Sequence, residues 1–137
     1  MITIEQYFGD WIAHPDATET RKQNANLLLT AVSSLQYFAI RDGVEFPDNP
    51  ATGSGVSGQK YGGFRPQDCH QGAPHSSHKE GLAVDLYDPE GDIDAWCLQN
   101  LDDLESCGIY IEDPLSTHGW SHWTIRKPGS GNRVFKP

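Results

Sequence analysis

Two short segments of the chain carry residue types that bind metals. Residues 76–85 read SSHKEGLAVD, and residues 119–123 read GWSHW. Together they supply two imidazoles and one carboxylate, from His78, His122 and Asp85. Three such ligands, with a fourth coordination position left to water, are typical of catalytic zinc sites. Because a metal held in this way polarises carbonyl groups and lowers the pKa of water to about 7, the set favours a hydrolase.

Side-chain alternation along two predicted strands would bring these residues together. In a strand over residues 83–87, Asp85 faces a cleft while its two neighbours enter the core. A strand over residues 120–125 gives His122 the same freedom. If the two strands are neighbours, Asp85 and His122 meet, and His78 closes the site from the preceding loop.

The rest of the chain predicts the elements that support this site. Periodic apolar residues and capping signals predict three helices, over residues 3–11, 18–41 and 93–107, the last capped by Asp92. A short apolar run predicts one more strand, over residues 109–112. Residues 43–77 are rich in Gly, Pro, Asn and Ser, and they predict a long loop that lines the substrate, with a short strand near residues 55–58. We therefore expect one α+β domain over residues 1–137, a small antiparallel sheet backed by helices. In it, the N-terminal helices of residues 1–42 pack on a catalytic part, residues 43–137.

Charge and composition exclude several classes of function. The formal net charge of −9 argues against nucleic-acid binding, which needs clustered Lys and Arg. Residues 126–137 nevertheless hold four basic residues and no acid. This segment is either a solvated tail or a small patch that binds an anionic substrate. No apolar run is long enough for membrane insertion, and the N-terminus lacks a signal-peptide pattern, so we expect a protein made in the cytoplasm. Three cysteines exclude a full disulfide framework. Separately, we expect the protein to be a monomer.

The metal-binding segments also match a known family. The pattern Ser76-x-His78-x-x-Gly81-x-Ala83-x-Asp85, followed by a later Trp-x-His, resembles the zinc D-Ala-D-Ala peptidases. That family includes the L-alanyl-D-glutamate endopeptidases of bacteriophage lysins, and its fold is shared with Hedgehog signalling domains. Short phage and prophage members also resemble the tail of this chain, residues 128–137. The resemblance spans roughly residues 50–137.

The resemblance implies roles for several residues. It makes His78, Asp85 and His122 the ligands of Zn²⁺. The family also uses an Arg that binds the substrate and its developing charge. Arg65 corresponds to it here, with an apparent insertion between Ser57-Gly58 and Arg65. Separately, the residue types suggest Ser76 as a group that orients the ligands or contacts substrate, and Trp120 as a residue that contacts the substrate peptide.

One departure from the family concerns the catalytic base. Many members carry an acidic residue three positions before the last His ligand, where this chain has Gly119. The remaining candidates are Glu112, Asp113 and His118. We favour Glu112, because it ends a predicted strand beside the site.

The function implied is zinc-dependent hydrolysis of a peptide bond in peptidoglycan stem peptides, of the D,D-carboxypeptidase or the L-Ala-D-Glu endopeptidase type. Such an enzyme reaches the cell wall when phage lysis releases it or when a virion carries it. The absence of an acid at Gly119 motivates an alternative, a non-catalytic, zinc-stabilised phage structural or wall-binding module. A non-haem iron oxygenase also uses two His and one carboxylate, but its usual His-x-Asp pair is absent.

Overall fold

The computed structural model describes all 137 residues, and they form an α+β fold with four helices and a four-stranded sheet. The helices are α1 (Ile4–Phe8), α2 (Glu19–Arg41), α3 (Asp92–Gln99) and α4 (Leu101–Cys107). The strands are β1 (Ala83–Asp88), β2 (Tyr110–Glu112), β3 (Gly119–Thr124) and β4 (Val134–Phe135). Short 3-10 turns cover Gly9–Trp11, Ser77–Glu80 and Pro114–Ser116. None of the helices has both the length and the apolar character that crossing a membrane requires.

The two N-terminal helices begin where the sequence predicts. Thr3 and Gln6 form a reciprocal capping box at the start of α1. The Thr18 side chain accepts a hydrogen bond from the backbone of Arg21 and so caps α2. One face of α2 is fully buried in the hydrophobic core, through Ala25, Leu28, Val32, Leu35 and Ala39. The predicted helix over residues 18–41 is therefore confirmed, and it backs the sheet half of the molecule.

The predicted single helix over residues 93–107 is wrong in two respects. The chain leaves helical geometry at Asn100, which separates α3 from α4. The Asn100 side chain donates to the Trp96 carbonyl at 2.8 Å, a local bond of the kind that lets Asn compete with helix continuation. The cap is also not Asp92: Asp88 accepts hydrogen bonds from the backbone N–H groups of Ile93 and Asp94, each at 3.0 Å.

The sheet is mixed rather than purely antiparallel, which corrects the sequence prediction. Its strand order is β1-β3-β2-β4, with β1–β3 and β2–β3 antiparallel and β2–β4 parallel. The parallel pair arises because the chain after β3 returns to the start of β2 before it enters β4. Arg133 fixes this return: its guanidinium lies 4.1 Å from the centre of the Tyr110 ring and donates to the Ile109 carbonyl at 3.0 Å.

Side-chain alternation in β1 and β3 follows the prediction. Val84, Leu86 and Trp123 point into the core and are essentially inaccessible to solvent. Asp85 and His122 are direct register partners on the other face. β1 and β3 therefore contribute to the core on one side and to a cleft on the other.

A buried hydrogen-bond network holds the core side of β3. Asp94, on α3, accepts from the hydroxyls of Ser121 at 2.5 Å and Thr117 at 2.9 Å. Ser121 in turn accepts from the Trp123 indole N–H at 2.8 Å. Burial raises the pKa of Asp94, and its two hydroxyl partners counteract part of that effect. The helix that follows β1 thus anchors the strand that carries His122.

The segment between α2 and β1 is mostly irregular, as predicted. The expected strand near residues 55–58 is reduced to one isolated bridge, Val56 to Leu86. The loop still follows the outer edge of β1, because Ser57 N–H donates to the Asp85 carbonyl at 2.8 Å and Asp85 N–H donates to the Gly62 carbonyl at 2.7 Å. This loop therefore forms one wall of the cleft.

Candidate metal centre

Three donor atoms from two segments of the sequence converge at the floor of the cleft. His122 Nδ1 lies 2.8 Å from Asp85 Oδ1, and His78 Nε2 lies 3.2 Å from the same oxygen. The two ring nitrogens are 3.3 Å apart. The predicted meeting of these three residues is confirmed, and together they could hold a metal ion.

The donor set and its spacing fit a small divalent cation. In a tetrahedral site with metal–ligand bonds of about 2.0–2.2 Å, the ligand atoms lie about 3.3–3.6 Å from one another. The two distances from His78, 3.2 and 3.3 Å, are close to that range, and the His122–Asp85 distance is shorter at 2.8 Å. Small outward shifts of His122 and Asp85 would therefore accommodate an ion.

His78 is the most buried member of the cluster, at 2% exposure. Its Nδ1 lies 2.8 Å from the Gly63 carbonyl, which can only accept a hydrogen bond, so Nδ1 carries the proton and Nε2 offers its lone pair. Burial lowers the pKa of His78 and favours this neutral form, although Asp85 opposes the shift. Ser76 accepts from the His78 backbone N–H at 3.2 Å, so it fixes the turn and not the ring.

Glycines let the loop reach this position, and sequence reasoning missed the most important one. A Cβ on Gly63 would lie 2.0 Å from the Tyr7 carbonyl oxygen of α1. A Cβ on Gly81, where φ is +75°, would lie 2.5 Å from the Arg21 carbonyl oxygen of α2. The N-terminal helices therefore help to set the site by packing directly against the backbone around His78. The only sequence signal for this role is the Gly62-Gly63 pair shortly before Arg65.

Arg65 lies in the cluster and is 7% exposed. Its guanidinium donates to Asp85 Oδ2 at 3.3 Å and to the carbonyls of Tyr61 and Gln71 at 2.7 and 3.2 Å. Burial alone would raise the pKa of Asp85, but the adjacent rings of His78 and His122 outweigh it and hold that pKa well below its usual range. Arg65 therefore orients the carboxylate through Oδ2 and leaves Oδ1 facing the ring nitrogens of His78 and His122.

Glu112 is the one predicted base that faces the cleft. Extending the β2–β3 register by one residue places Glu112 opposite His122, and Phe135 of β4 is its partner on the other side. Burial raises the pKa of Glu112; the charge of Asp85 adds to the shift and His122 opposes it. The other two candidates do not line the cleft. Asp113 accepts from the Leu115 backbone N–H at 3.0 Å, and His118 is exposed.

Aromatic rings flank the cluster. The Phe135 ring meets the His122 ring edge-on, with centroids 5.9 Å apart. Trp120, one of the predicted substrate contacts, also lines the cleft, which has a volume of about 1140 Å³. Sequence reasoning did not single out Phe135 as a residue of the site. The site is thus a row across all four strands, formed by Asp85, His122, Glu112 and Phe135.

No family model, no curated protein and no solved structure matches the chain.

Proposed function

We propose that the chain is a zinc-dependent peptidase that hydrolyses a peptide bond in peptidoglycan stem peptides. The observation that carries the proposal is the convergence of His78, Asp85 and His122 at the floor of a cleft, with Glu112 beside them. Two imidazoles and one carboxylate suit Zn²⁺ and leave room for a further ligand. The resemblance of the motif to zinc D-Ala-D-Ala peptidases is the basis for the proposed substrate class, and it also implies the Hedgehog-like fold.

Each residue then has a defined task in peptide hydrolysis. Zinc, when bound, would polarise the scissile carbonyl and acidify the attacking water. Glu112 accepts the proton of that water and returns it to the leaving amine nitrogen. Burial raises the pKa of Glu112, which is the direction expected for a carboxylate that both takes and gives a proton. Arg65 holds Asp85 in place and contributes positive charge near the developing oxyanion.

The test is digestion of purified peptidoglycans of several wall chemistries by the zinc-loaded protein, with mass spectrometry of the released fragments. Fragment masses report whether the enzyme is a D,D-carboxypeptidase or an L-Ala-D-Glu endopeptidase. We expect release that a chelator abolishes and that Glu112→Gln lowers by about 10²–10⁴-fold. Asp113→Asn is the matched control, because its side chain caps a turn outside the cleft, and it should retain activity. Absence of metal-dependent release from every wall would refute the proposal.

A second candidate function rests on Gly119. This position lacks the acid that many members of the resembling family carry there, which favours a non-catalytic, zinc-stabilised structural or wall-binding module. Such a module would bind zinc and sediment with peptidoglycan, yet release no fragment. The digestion experiment therefore separates the two functions directly.

A further inference from the structure

Positive charge is concentrated in the cleft of an otherwise acidic protein. The chain has ten Lys and Arg against nineteen Asp and Glu, for a net charge of −9. Four of the ten basic side chains line the cleft, but only two of the nineteen acids do: Lys60, Arg65, Arg126 and Lys127 against Asp85 and Glu112. A bound divalent cation would add to this positive charge. The cleft therefore has the opposite sign to the rest of the surface.

Three of these four cations have no acidic partner. Arg65 forms an ion pair with Asp85, but Lys60, Arg126 and Lys127 have no carboxylate within 4.0 Å. Arg126 is held by a single bond, from Nη1 to the His75 carbonyl at 3.1 Å, so most of its donors stay free. All three side chains are exposed to solvent and line the cleft, and the Lys60 ammonium also lies over the rings of Trp11 and Tyr61.

The unpaired cations come from two walls of the cleft. Lys60 lies in the loop that follows the outer edge of β1. Arg126 and Lys127 follow β3 and begin the segment that returns to β4. A ligand in the cleft therefore meets positive charge from two separate segments of the chain. The adjacent pair, Arg126 and Lys127, is the stronger half because two charges act together.

We propose that Arg126 and Lys127 form an anion subsite that binds a substrate carboxylate that takes no part in bond cleavage, with Lys60 supporting it from the loop along β1. The ligand class is a short acidic peptide. A long polyanion fits less well, because beyond the cleft it would cross an acidic surface. The inference rests on the proposed function for the identity of the substrate, but the subsite can be tested by binding alone.

The experiment measures binding to the zinc-loaded Glu112→Gln protein, which makes the result independent of turnover. The probes are a fluorescent synthetic stem peptide with a free glutamyl carboxylate and the same peptide with that group as a carboxamide. Exposed ion pairs contribute up to about fivefold each and these factors multiply, so two should give the carboxylate form up to about 25-fold tighter binding at low salt. In the double variant Arg126→Gln/Lys127→Gln, that difference should fall to less than about twofold.

Lys136→Gln is the matched control, because it removes a basic residue of the same tail that does not line the cleft. It should keep the preference for the carboxylate peptide. Equal binding of the two peptides by the parent protein would overturn the proposal, as would a preference that persists in the double variant. Tighter binding of a poly(glycerol phosphate) polymer than of the carboxylate peptide would also overturn it. If the peptide binds but no wall fragment is released by the active protein, the subsite stands and the peptidase proposal fails.

Discussion

The site has a strand-borne part and a loop-borne part, and the two are built by different physics. Asp85, His122 and Glu112 lie on neighbouring strands, so backbone register sets their separations. His78 lies on a short 3-10 turn and Arg65 in an irregular loop, where carbonyl contacts and close approach to the N-terminal helices set their positions. The strand-borne part is therefore determined by local pattern, whereas the loop-borne part depends on tertiary contacts.

The largest effect should come from removing a strand-borne member of the proposed metal site. His122→Ala takes one of three donor atoms from the cluster. We expect zinc affinity to fall by more than the roughly 10–100-fold that loss of an outer-sphere partner costs. Competition with a chromophoric chelator measures the affinity. His118→Ala is the control, because that imidazole is exposed and outside the cleft, and its affinity should equal that of the parent. Equal affinity in both variants would show that the three residues hold no metal.

The loop-borne part can be broken without touching any ligand. Gly63→Ala places a Cβ against the Tyr7 carbonyl, so the backbone must shift, and we expect this to weaken the contact between the Gly63 carbonyl and the His78 ring. We expect zinc affinity to fall about 10–100-fold, because the contact of a ligating His with its outer partner is weakened. Overpacking should also lower the free energy of unfolding by about 1–3 kcal/mol. Metal titration and urea denaturation measure the two quantities.

Gly55→Ala is the matched control for that loop variant. Its Cβ would meet only the Ile2 side chain, at an ordinary 3.8 Å. Both zinc affinity and stability should therefore stay close to those of the parent. If Gly63→Ala behaves in the same way, the loop is not held by α1, and the contrast between the two parts of the site disappears.

The same contrast explains which parts of the site the sequence could predict. Alternation with a period of two placed Asp85 and His122 on one face, because successive side chains of a strand point to opposite faces and the residues beside these two are buried. No periodic signal marks Gly63, whose role is a carbonyl accepting from a ring fifteen positions away in the chain. Contacts of that kind become visible only when the loop is seen against α1.

The errors in the helices and the sheet have similar causes. Apolar spacing continues through Asn100, so periodicity alone joins α3 to α4. The cap on α3 comes from Asp88 at the end of β1, and the nearer Asp92 suggested a local cap instead. β4 has only two residues, Val134 and Phe135, which is too short for any alternation to be recognised. Its parallel pairing depends on how the tail returns, and local sequence does not encode that path.

The smallest effect tests whether β4 belongs to the strand-borne part of the site. Phe135→Leu removes the edge-on contact with the His122 ring, and aromatic pairs of this kind contribute about 0.5–1.5 kcal/mol. We expect a stability loss of that size and a zinc affinity lowered by less than about tenfold, because the ring of a ligand loses its support. Phe46→Leu removes a similar edge-on contact, with Trp123 at 6.2 Å between centroids, on the core face of β3. Phe46→Leu should lower stability by a similar amount and leave zinc affinity unchanged. If the two variants have equal zinc affinities, β4 contributes to stability but not to the metal site.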